Sequence, residues 1–146
     1  MDSPLIHPGG RQVDGAVASL YALDKICQSH SVLGAQKAGK LTVLFDSGIR
    51  TGSDIFKALA LGAQAVLRAS SRFPINFKGV LIIIRTYSLL VGRPYMYGLT
   101  IGGEKGVEEV LRSTLADLEI TMGLSGYKNV SEFQGRREEV IAKVDM

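Results

Sequence analysis

Cysteine and histidine are scarce in this chain of 146 residues, and their scarcity excludes several kinds of site. Cys27 is the only cysteine, so the chain forms neither an internal disulfide nor a cysteine-ligated metal cluster. The only histidines, His7 and His30, lack the spacing of two metal ligands on one helix. We therefore expect no metal site, and we interpret Cys27 as a small core residue rather than a nucleophile.

Long apolar runs and a one-sided charge are also missing. The longest apolar run, Val80–Ile84, stops at Arg85 and resumes only at Leu89–Val91, whereas a bilayer-spanning helix needs roughly 20 apolar residues. The net charge is only +3, with basic residues scattered among acidic ones. These patterns predict neither a membrane nor a nucleic-acid partner. Since no basic segment followed by an apolar core begins the chain, we expect a cytoplasmic, reducing compartment.

The remaining segments alternate between helical and strand-like patterns. Apolar residues at helical spacing predict a helix over Ala18–Ser29, and the small, polar stretch Ser31–Lys40 is typical of a loop. The β-rich run Leu41–Phe45 and the run Ala65–Leu67 predict strands of a buried parallel sheet. The short connections between these elements indicate βα units around such a sheet.

Further helices are indicated by capping residues and by apolar periodicity. Thr51, with Asp54 three residues later, is a variant of the capping box and predicts that a helix begins there. One continuous apolar face predicts a helix over about Val107–Met122. A helical turn around Val130–Phe133 and a charged tail over 135–146 are expected to follow.

Three motifs that combine glycine with arginine are candidate binding sites. In Gly9–Gln12 the paired glycines allow a ligand close to the backbone, and Arg11 could hold a carboxylate through two parallel hydrogen bonds. Asp46–Arg50 lies between a strand and a helix, where N–H groups and a guanidinium form an anion site. Gly92–Pro94 offers another N–H and a second cation. Each motif alone is also compatible with a solvated turn, but consecutive βα loops commonly hold phosphate in β/α barrels.

Longer ordered motifs lie in the stretches Gly9–Ala16, Leu44–Arg50, Phe56–Ala63, Val91–Tyr95 and Leu118–Met122. Together they resemble the FMN-dependent α-hydroxy-acid dehydrogenase family, which includes glycolate oxidase, lactate oxidase and flavocytochrome lactate dehydrogenases. The resemblance covers nearly the whole chain except one internal stretch and both ends. It implies an α/β fold, the carboxy-terminal portion of a (β/α)8 TIM barrel. That barrel is incomplete here, because the chain supplies only about two and a half of the eight units.

The resemblance also implies roles for individual residues. Arg11 matches the arginine that binds the substrate carboxylate. The two loops around the FMN phosphate and ribityl chain are matched by Asp46, Ser47, Gly48, Ile49 and Arg50 in the first, and by Gly92 and Arg93 in the second. FMN is then the cofactor and a small 2-hydroxy acid the substrate. A homo-oligomer is expected at the level of the family alone.

The catalytic base is the clearest departure from the family pattern. The family has a histidine directly before the Gly-Gly-Arg sequence, and this chain has Pro8 there. Proline carries no titratable group and no N–H, so it cannot remove a proton from the substrate. His7 is adjacent, but a shift of one residue turns its side chain in a different direction, so it is only a weak substitute.

The stretch Arg68–Leu90 is the second departure, because nothing in it continues the preceding pattern. Deleting it joins Ala65–Leu67 directly to Val91–Pro94, which restores the strand and loop of the family. We hypothesise that it is translated intron; the alternative is a genuine insertion in the eighth strand. The chain is thus interpreted as one partial FMN hydroxy-acid dehydrogenase domain over 1–146, with an atypical insertion at 68–90.

Two functions are compatible with this sequence. By resemblance it is an FMN-dependent oxidoreductase that oxidises a small 2-hydroxy acid to a 2-oxo acid. The alternative is a truncated, catalytically inactive remnant that retains only a flavin-phosphate half-site. Whether the chain itself is an enzyme stays open from the sequence. A phosphate half-site of another β/α-barrel enzyme would explain the two loops but not Gly9–Gln12.

Overall fold

A computed structural model describes residues 17–68, 80–84 and 87–141. The described residues form six helices and four strands. In chain order these are α1 (Ser19–Cys27), α2 (His30–Lys37), β1 (Leu44–Asp46), α3 (Gly52–Ala60), β2 (Ala65–Arg68), β3 (Val80–Ile84), β4 (Tyr87–Val91), α4 (Arg93–Leu124), α5 (Val130–Phe133) and α6 (Arg137–Val140).

The strands form one sheet in the order β1-β2-β4-β3. β1, β2 and β4 are parallel, and β3 runs antiparallel to β4. Asp46 pairs with Leu67, which pairs with Leu90 on the next strand. The carboxyl ends of the three parallel strands therefore lie at one edge of the sheet, here called the carboxyl end. The opposite edge, where β1 and β2 begin, is the amino end.

α3 forms because its apolar residues recur at helical spacing, and they become the centre of the core. Ile55, Phe56 and Leu59 are all at most 5% exposed and pack with Val43, Phe45 and Val66 of the strand region. Burying a side chain of this size contributes about 1.5–3 kcal/mol. The predicted capping box is confirmed, since Thr51 and Asp54 cap each other reciprocally at the start of α3. This core fixes where the loop before α3 lies.

α4 is longer than the predicted helix over Val107–Met122, because it begins at Arg93. Gly103, with φ of 59°, divides it into a first arm (93–102) and a second arm (104–124). Pro94 occupies the first turn, where its fixed φ suits a helix and its missing N–H costs nothing. The second arm buries Thr114, Leu118 and Met122 at helical spacing, which confirms the apolar face.

Two polar stretches are more regular than their sequences indicated. The loop predicted over Ser31–Lys40 is wrong, because His30–Lys37 is the helix α2, which buries none of its residues fully. Gln36 anchors that helix by donating to the carbonyl of Gly62, at 3.1 Å. The expected helical turn is confirmed as α5, and the charged tail contains the short helix α6.

Part of the unpatterned stretch adds strands to the sheet. Val80–Ile84 and Tyr87–Val91 form an antiparallel pair, β3 and β4, and β4 continues directly into Gly92 and Arg93. β2 is therefore flanked by a parallel strand on each side. Within the residues that the structure describes, no helix combines the length and the hydropathy that crossing a membrane requires.

Candidate functional site

The loop Asp46–Arg50 leaves the carboxyl end of β1 in an unusual backbone conformation. Ser47 and Gly48 have φ of 85° and 84°, and a positive φ is uncommon for a residue other than glycine. The side chain of Asp46 holds this turn, because its Oδ1 accepts a hydrogen bond from the N–H of Ser47 at 2.6 Å. From the other side, Ser19 Oγ donates to the carbonyl oxygen of Ser47 at 3.0 Å.

The same loop presents both N–H groups and a cation. Ile49 is 3% exposed and anchors the loop in the core, whereas Arg50 is exposed. The N–H groups of Gly48 and Ile49 make no hydrogen bond to any residue that the structure describes. N–H groups next to a guanidinium are the donors that a phosphate monoester requires. The predicted anion loop thus has suitable donors in place.

The capping box at the end of the loop fixes the orientation of α3. Asp54 Oδ2 accepts hydrogen bonds from the N–H of Arg50 at 3.0 Å and from the N–H of Thr51 at 3.2 Å. Partial burial alone would raise the pKa of Asp54. These N–H bonds, the Thr51 hydroxyl and the charge of Lys57 outweigh burial and hold the pKa below its usual value. Asp54 therefore stays ionised and keeps the loop tied to α3.

The second predicted loop is short, because the helix starts immediately after its glycine. Gly92 is the N-cap of α4 and Arg93 is its first residue, so the N–H of Arg93 lies at the positive end of a helix. Val91 pairs with Arg68 at the carboxyl end of β2, so Gly92 lies at the same edge as Asp46–Arg50. β2 separates the two loops, which places their strands about 10 Å apart.

Two contributors to the site carried no clear signal in the sequence. Ser19 begins α1, yet it contacts the loop 28 residues later. Asp117 lies on the second arm of α4, and its Oδ2 accepts a hydrogen bond from the N–H of Gly52 at 2.5 Å. Both contacts join segments that are distant in sequence, and a motif of neighbouring residues does not indicate such contacts.

The substrate half of the prediction lies outside the described residues, since His7, Pro8, Arg11 and the whole of 1–16 are not among them. In the part of the chain that the structure describes, no three histidine, cysteine or acidic side chains cluster as metal ligands. A cleft of about 450 Å³ lies at the amino end and contains none of the predicted site residues. Its arginines are paired, Arg137 with Asp24 and Arg136 with Glu139.

The sequence profile of a family described as FMN-dependent dehydrogenase matches residues 7–72 and 87–140. The chain is 44% identical over 124 residues to an FMN-dependent alpha-hydroxy acid dehydrogenase of Penicillium citrinum, covering 85% of this chain and 23% of that protein. It is 40% identical over 124 residues to an L-lactate oxidase of Nostoc sp., covering 85% and 26%. The chain belongs to the FMN-dependent dehydrogenase family, and it spans about a quarter of the length of these relatives.

Solved structures agree with this assignment. Mandelate oxidase with benzoyl-formic acid is 34% identical and superposes with a TM-score of 0.58, covering 92% of this chain and 30% of the other. A flavocytochrome b2 variant with benzoylformate is 27% identical with a TM-score of 0.61, covering 92% and 28%. Both are FMN enzymes built on a (β/α)8 barrel. The fold prediction is confirmed: the described residues are a portion of such a barrel, and their sheet is not closed.

FMN is the cofactor of this family, and the described residues fit one part of it. The phosphate needs several hydrogen-bond donors and positive charge, which the Gly48 and Ile49 N–H groups, Arg50 and the start of α4 supply. The fit is therefore to the phosphate end of the cofactor.

Proposed function

We propose that this chain supplies the phosphate-binding half of the cofactor site of an FMN-dependent oxidoreductase acting on a small 2-hydroxy acid. The observation that carries this proposal is that two loops with N–H donors and arginine, Asp46–Arg50 and Gly92–Arg93, both lie at the carboxyl end of one parallel sheet. The relatives' names, which include L-lactate oxidase and peroxisomal (S)-2-hydroxyacid oxidase, support the substrate class.

Each residue of the two loops has a distinct task in this proposal. Arg50 and Arg93 neutralise the phosphate, and Gly48 and Ile49 donate N–H hydrogen bonds to its oxygens. Asp46 orders the loop by accepting a hydrogen bond from the N–H of Ser47. Both arginine positions lie at the edge where barrel enzymes bind their ligands.

The substrate side of the proposal rests on residues near the start of the chain. Arg11 would hold the substrate carboxylate through two parallel hydrogen bonds. When bound, FMN accepts the electron pair that leaves the α-carbon of the hydroxy acid. A base must take the hydroxyl proton, and Pro8 has no group that can do so. The chain as written would thus orient a substrate, with His7 as only a weak substitute for the missing proton acceptor.

A second candidate, a catalytically inactive remnant, is favoured by the sheet order. β2 is paired with β1 on one side and with β4 on the other. In a closed eight-stranded barrel the eighth strand uses its second edge to pair with the first strand. β4 occupies that edge of β2, so the arrangement opposes closure in the family's usual order. For the polypeptide as written we favour this candidate.

Both candidates include the proposal that 68–90 is an insertion of intronic origin. The family profile leaves 73–86 unmatched, which supports an insertion there, although it matches 68–72 and 87–90 at the two ends of the proposed stretch. The register adds support, because Val91 lies level with Arg68. If Val91 followed Leu67 directly, Gly92 would follow β2 instead of β4. It would then lie one strand closer to the loop Asp46–Arg50. Sequencing the transcript tests this proposal: a message that retains the segment as its main species contradicts it.

Spectroscopy distinguishes an oxidoreductase from a remnant. An active enzyme mixed with FMN and then glycolate or lactate under anaerobic conditions should lose its visible flavin absorbance. The remnant should bind FMN without this bleaching. Size-exclusion chromatography and cell fractionation test the two remaining parts of the proposal, self-association and a cytoplasmic location.

The two loops Asp46–Arg50 and Gly92–Arg93, here called the phosphate clamp, can be tested without turnover. FMN and riboflavin differ only in the phosphate, so the ratio of their dissociation constants measures the clamp. Arg50→Ala and Arg93→Ala should each weaken FMN binding about tenfold and leave riboflavin binding unchanged, since each removes a charge-assisted contact. Arg112→Ala, on the exposed face of α4, is the control. Equal FMN affinities in the unchanged chain and the three variants would contradict the proposed phosphate clamp.

A further inference from the structure

The start of α3 is held by a side chain that lies far away in the sequence. The N–H of Gly52 donates to Asp117 Oδ2 at 2.5 Å, across 65 positions. Gly52 is buried, while Asp117 lies on an exposed part of the second arm of α4. This bond joins the helix that follows the first phosphate loop to the helix that follows the second.

The two helices touch at this point through their backbones. A Cβ on Gly52 would overlap the backbone atoms of Asp117 and Leu118, so only glycine allows this approach. The Asp117 carboxylate is therefore held beside the first turn of α3. Leu118 is 3% exposed and belongs to the shared core, which keeps the second arm in place.

Three N–H groups at the start of α3, those of Arg50, Thr51 and Gly52, are already occupied by carboxylates of the chain. Asp54 takes those of Arg50 and Thr51, and Asp117 takes that of Gly52. These three groups are consequently not directed at a ligand. The Gly48 and Ile49 N–H groups, earlier in the loop, make no hydrogen bond within the described residues and are the donors proposed to face a phosphate.

We infer that Asp117 is a positioning residue that fixes the first phosphate loop by holding the N–H of Gly52. β1 fixes the loop at its beginning and Asp117 fixes it at its end, so Gly48 and Ile49 lie between two anchored points. Without Asp117 the loop end would be tied to α4 by packing alone, and its N–H groups would converge on a phosphate less often. This inference rests on the proposed phosphate clamp.

Titrating the full-length chain into FMN and into riboflavin, with flavin fluorescence as the readout, tests this inference directly. Asp117→Ala should weaken FMN binding about tenfold, because a hydrogen bond to an ionised group is lost, and should leave riboflavin binding unchanged. Asp117→Asn keeps an oxygen that can accept from Gly52, so its FMN affinity should stay within about threefold of the original. Glu119→Ala, two positions along the same helix, should change neither affinity.

The outcomes separate this inference from the proposal beneath it. If the unchanged chain binds FMN no more tightly than riboflavin, the phosphate clamp itself fails and the role of Asp117 fails with it. If the chain prefers FMN and Asp117→Ala keeps that preference, the clamp stands and the positioning role is wrong. A variant Asp117→Ala that does not fold, judged by circular dichroism, also overturns it, because Asp117 would then stabilise the whole fold.

Discussion

The carboxyl end and the amino end of the sheet are organised in opposite ways. At the carboxyl end, backbone N–H groups meet partly exposed carboxylates, and the arginine of the first loop is exposed. The amino end is covered by residues 127–141, here called the closing segment. Its Phe133 is fully buried, with ring centroids 4.2 Å from Phe56 and 5.5 Å from Tyr127.

Hydrogen bonds and an ion pair seat the closing segment on α1 and α3. Gly135 donates its N–H to the carbonyl of Leu59 at 3.2 Å, and Gln134 donates to the carbonyl of Ala63 at 2.9 Å. Arg137 pairs with Asp24, whose side chain is 9% exposed. We propose a division of labour in which the amino end contributes most to stability and the carboxyl end carries the proposed phosphate-binding groups. Barrel enzymes divide these tasks in the same way.

The largest expected effect is at the aromatic cluster of the closing segment. Phe133→Ala should lower the free energy of unfolding by about 3–5 kcal/mol, because it removes a fully buried ring and leaves a cavity. Urea denaturation followed by circular dichroism measures this change. Ile101→Ala is the control, since Ile101 is 86% exposed and should cost no more than about 0.5 kcal/mol. Equal losses in both variants would contradict the proposed division.

The ion pair beside this cluster should have the next largest effect. Arg137→Ala removes a cation from the buried carboxylate of Asp24 and should cost about 2–3 kcal/mol, less than the roughly 3–5 kcal/mol of a fully buried pair because the Arg137 side chain is 25% exposed. Arg136→Ala is a matched control, because Arg136 and Glu139 are both more than half exposed, and should cost at most about 0.5 kcal/mol.

The reactivity of the Cys27 thiol measures how well the closing segment covers the amino end, without any denaturant. Burial, and to a lesser extent the charge of Asp24, raises the pKa of the Cys27 thiol to about 11. The thiol should therefore react slowly with a disulfide reagent at pH 8, since the thiolate is the reactive form. Arg137→Ala should speed this reaction severalfold by loosening the closing segment, whereas Arg136→Ala should not. Rapid labelling of the unchanged chain would show that the amino end is open.

The smallest expected effect is at the carboxyl end. Asp54→Ala removes a capping side chain and should cost about 1 kcal/mol at pH 7. Because the pKa of Asp54 is lower in the folded chain than in the unfolded chain, its contribution is present above the unfolded value near 3.8. That contribution is lost as the pH falls through the folded value. The melting temperatures of the two proteins should therefore differ above pH 3.8 and converge only as the pH falls below the lowered pKa of Asp54.

Local patterns predicted much of this structure, and long-range contacts were beyond them. The capping box of Thr51 and Asp54 depends on adjacent residues, so the sequence was sufficient there. α2 was missed because it is polar and buries no residue fully. The start of α4 at Arg93 was missed, although Pro94 in a first turn was an available signal.

The candidate site was predictable to the same extent. Asp46, Arg50 and Arg93 were identified because each lies within a recognisable motif. Asp117 binds Gly52 across 65 positions, and Ser19 binds Ser47 across 28 positions. No motif around Asp117 or Ser19 predicts these contacts. The sheet order was equally inaccessible, because it depends on how an unpatterned stretch pairs with β2. The binding roles of Asp46, Arg50 and Arg93 stay predictions, as do the roles of Pro8, His7 and Arg11.

The antiparallel pair of β3 and β4 has a consequence for the solubility of this chain at high concentration. β3 has the sequence Val-Leu-Ile-Ile-Ile and lies at the end of the strand order, so one of its sides has no strand beside it in the described sheet. Five consecutive apolar residues of high β-propensity, with no charge or proline, are the composition that promotes strand addition between copies. Natural sheets protect such strands with lysine or proline, and Val80–Ile84 contains neither. Solubility, more than folding itself, should therefore limit how much of this chain a cell can accumulate.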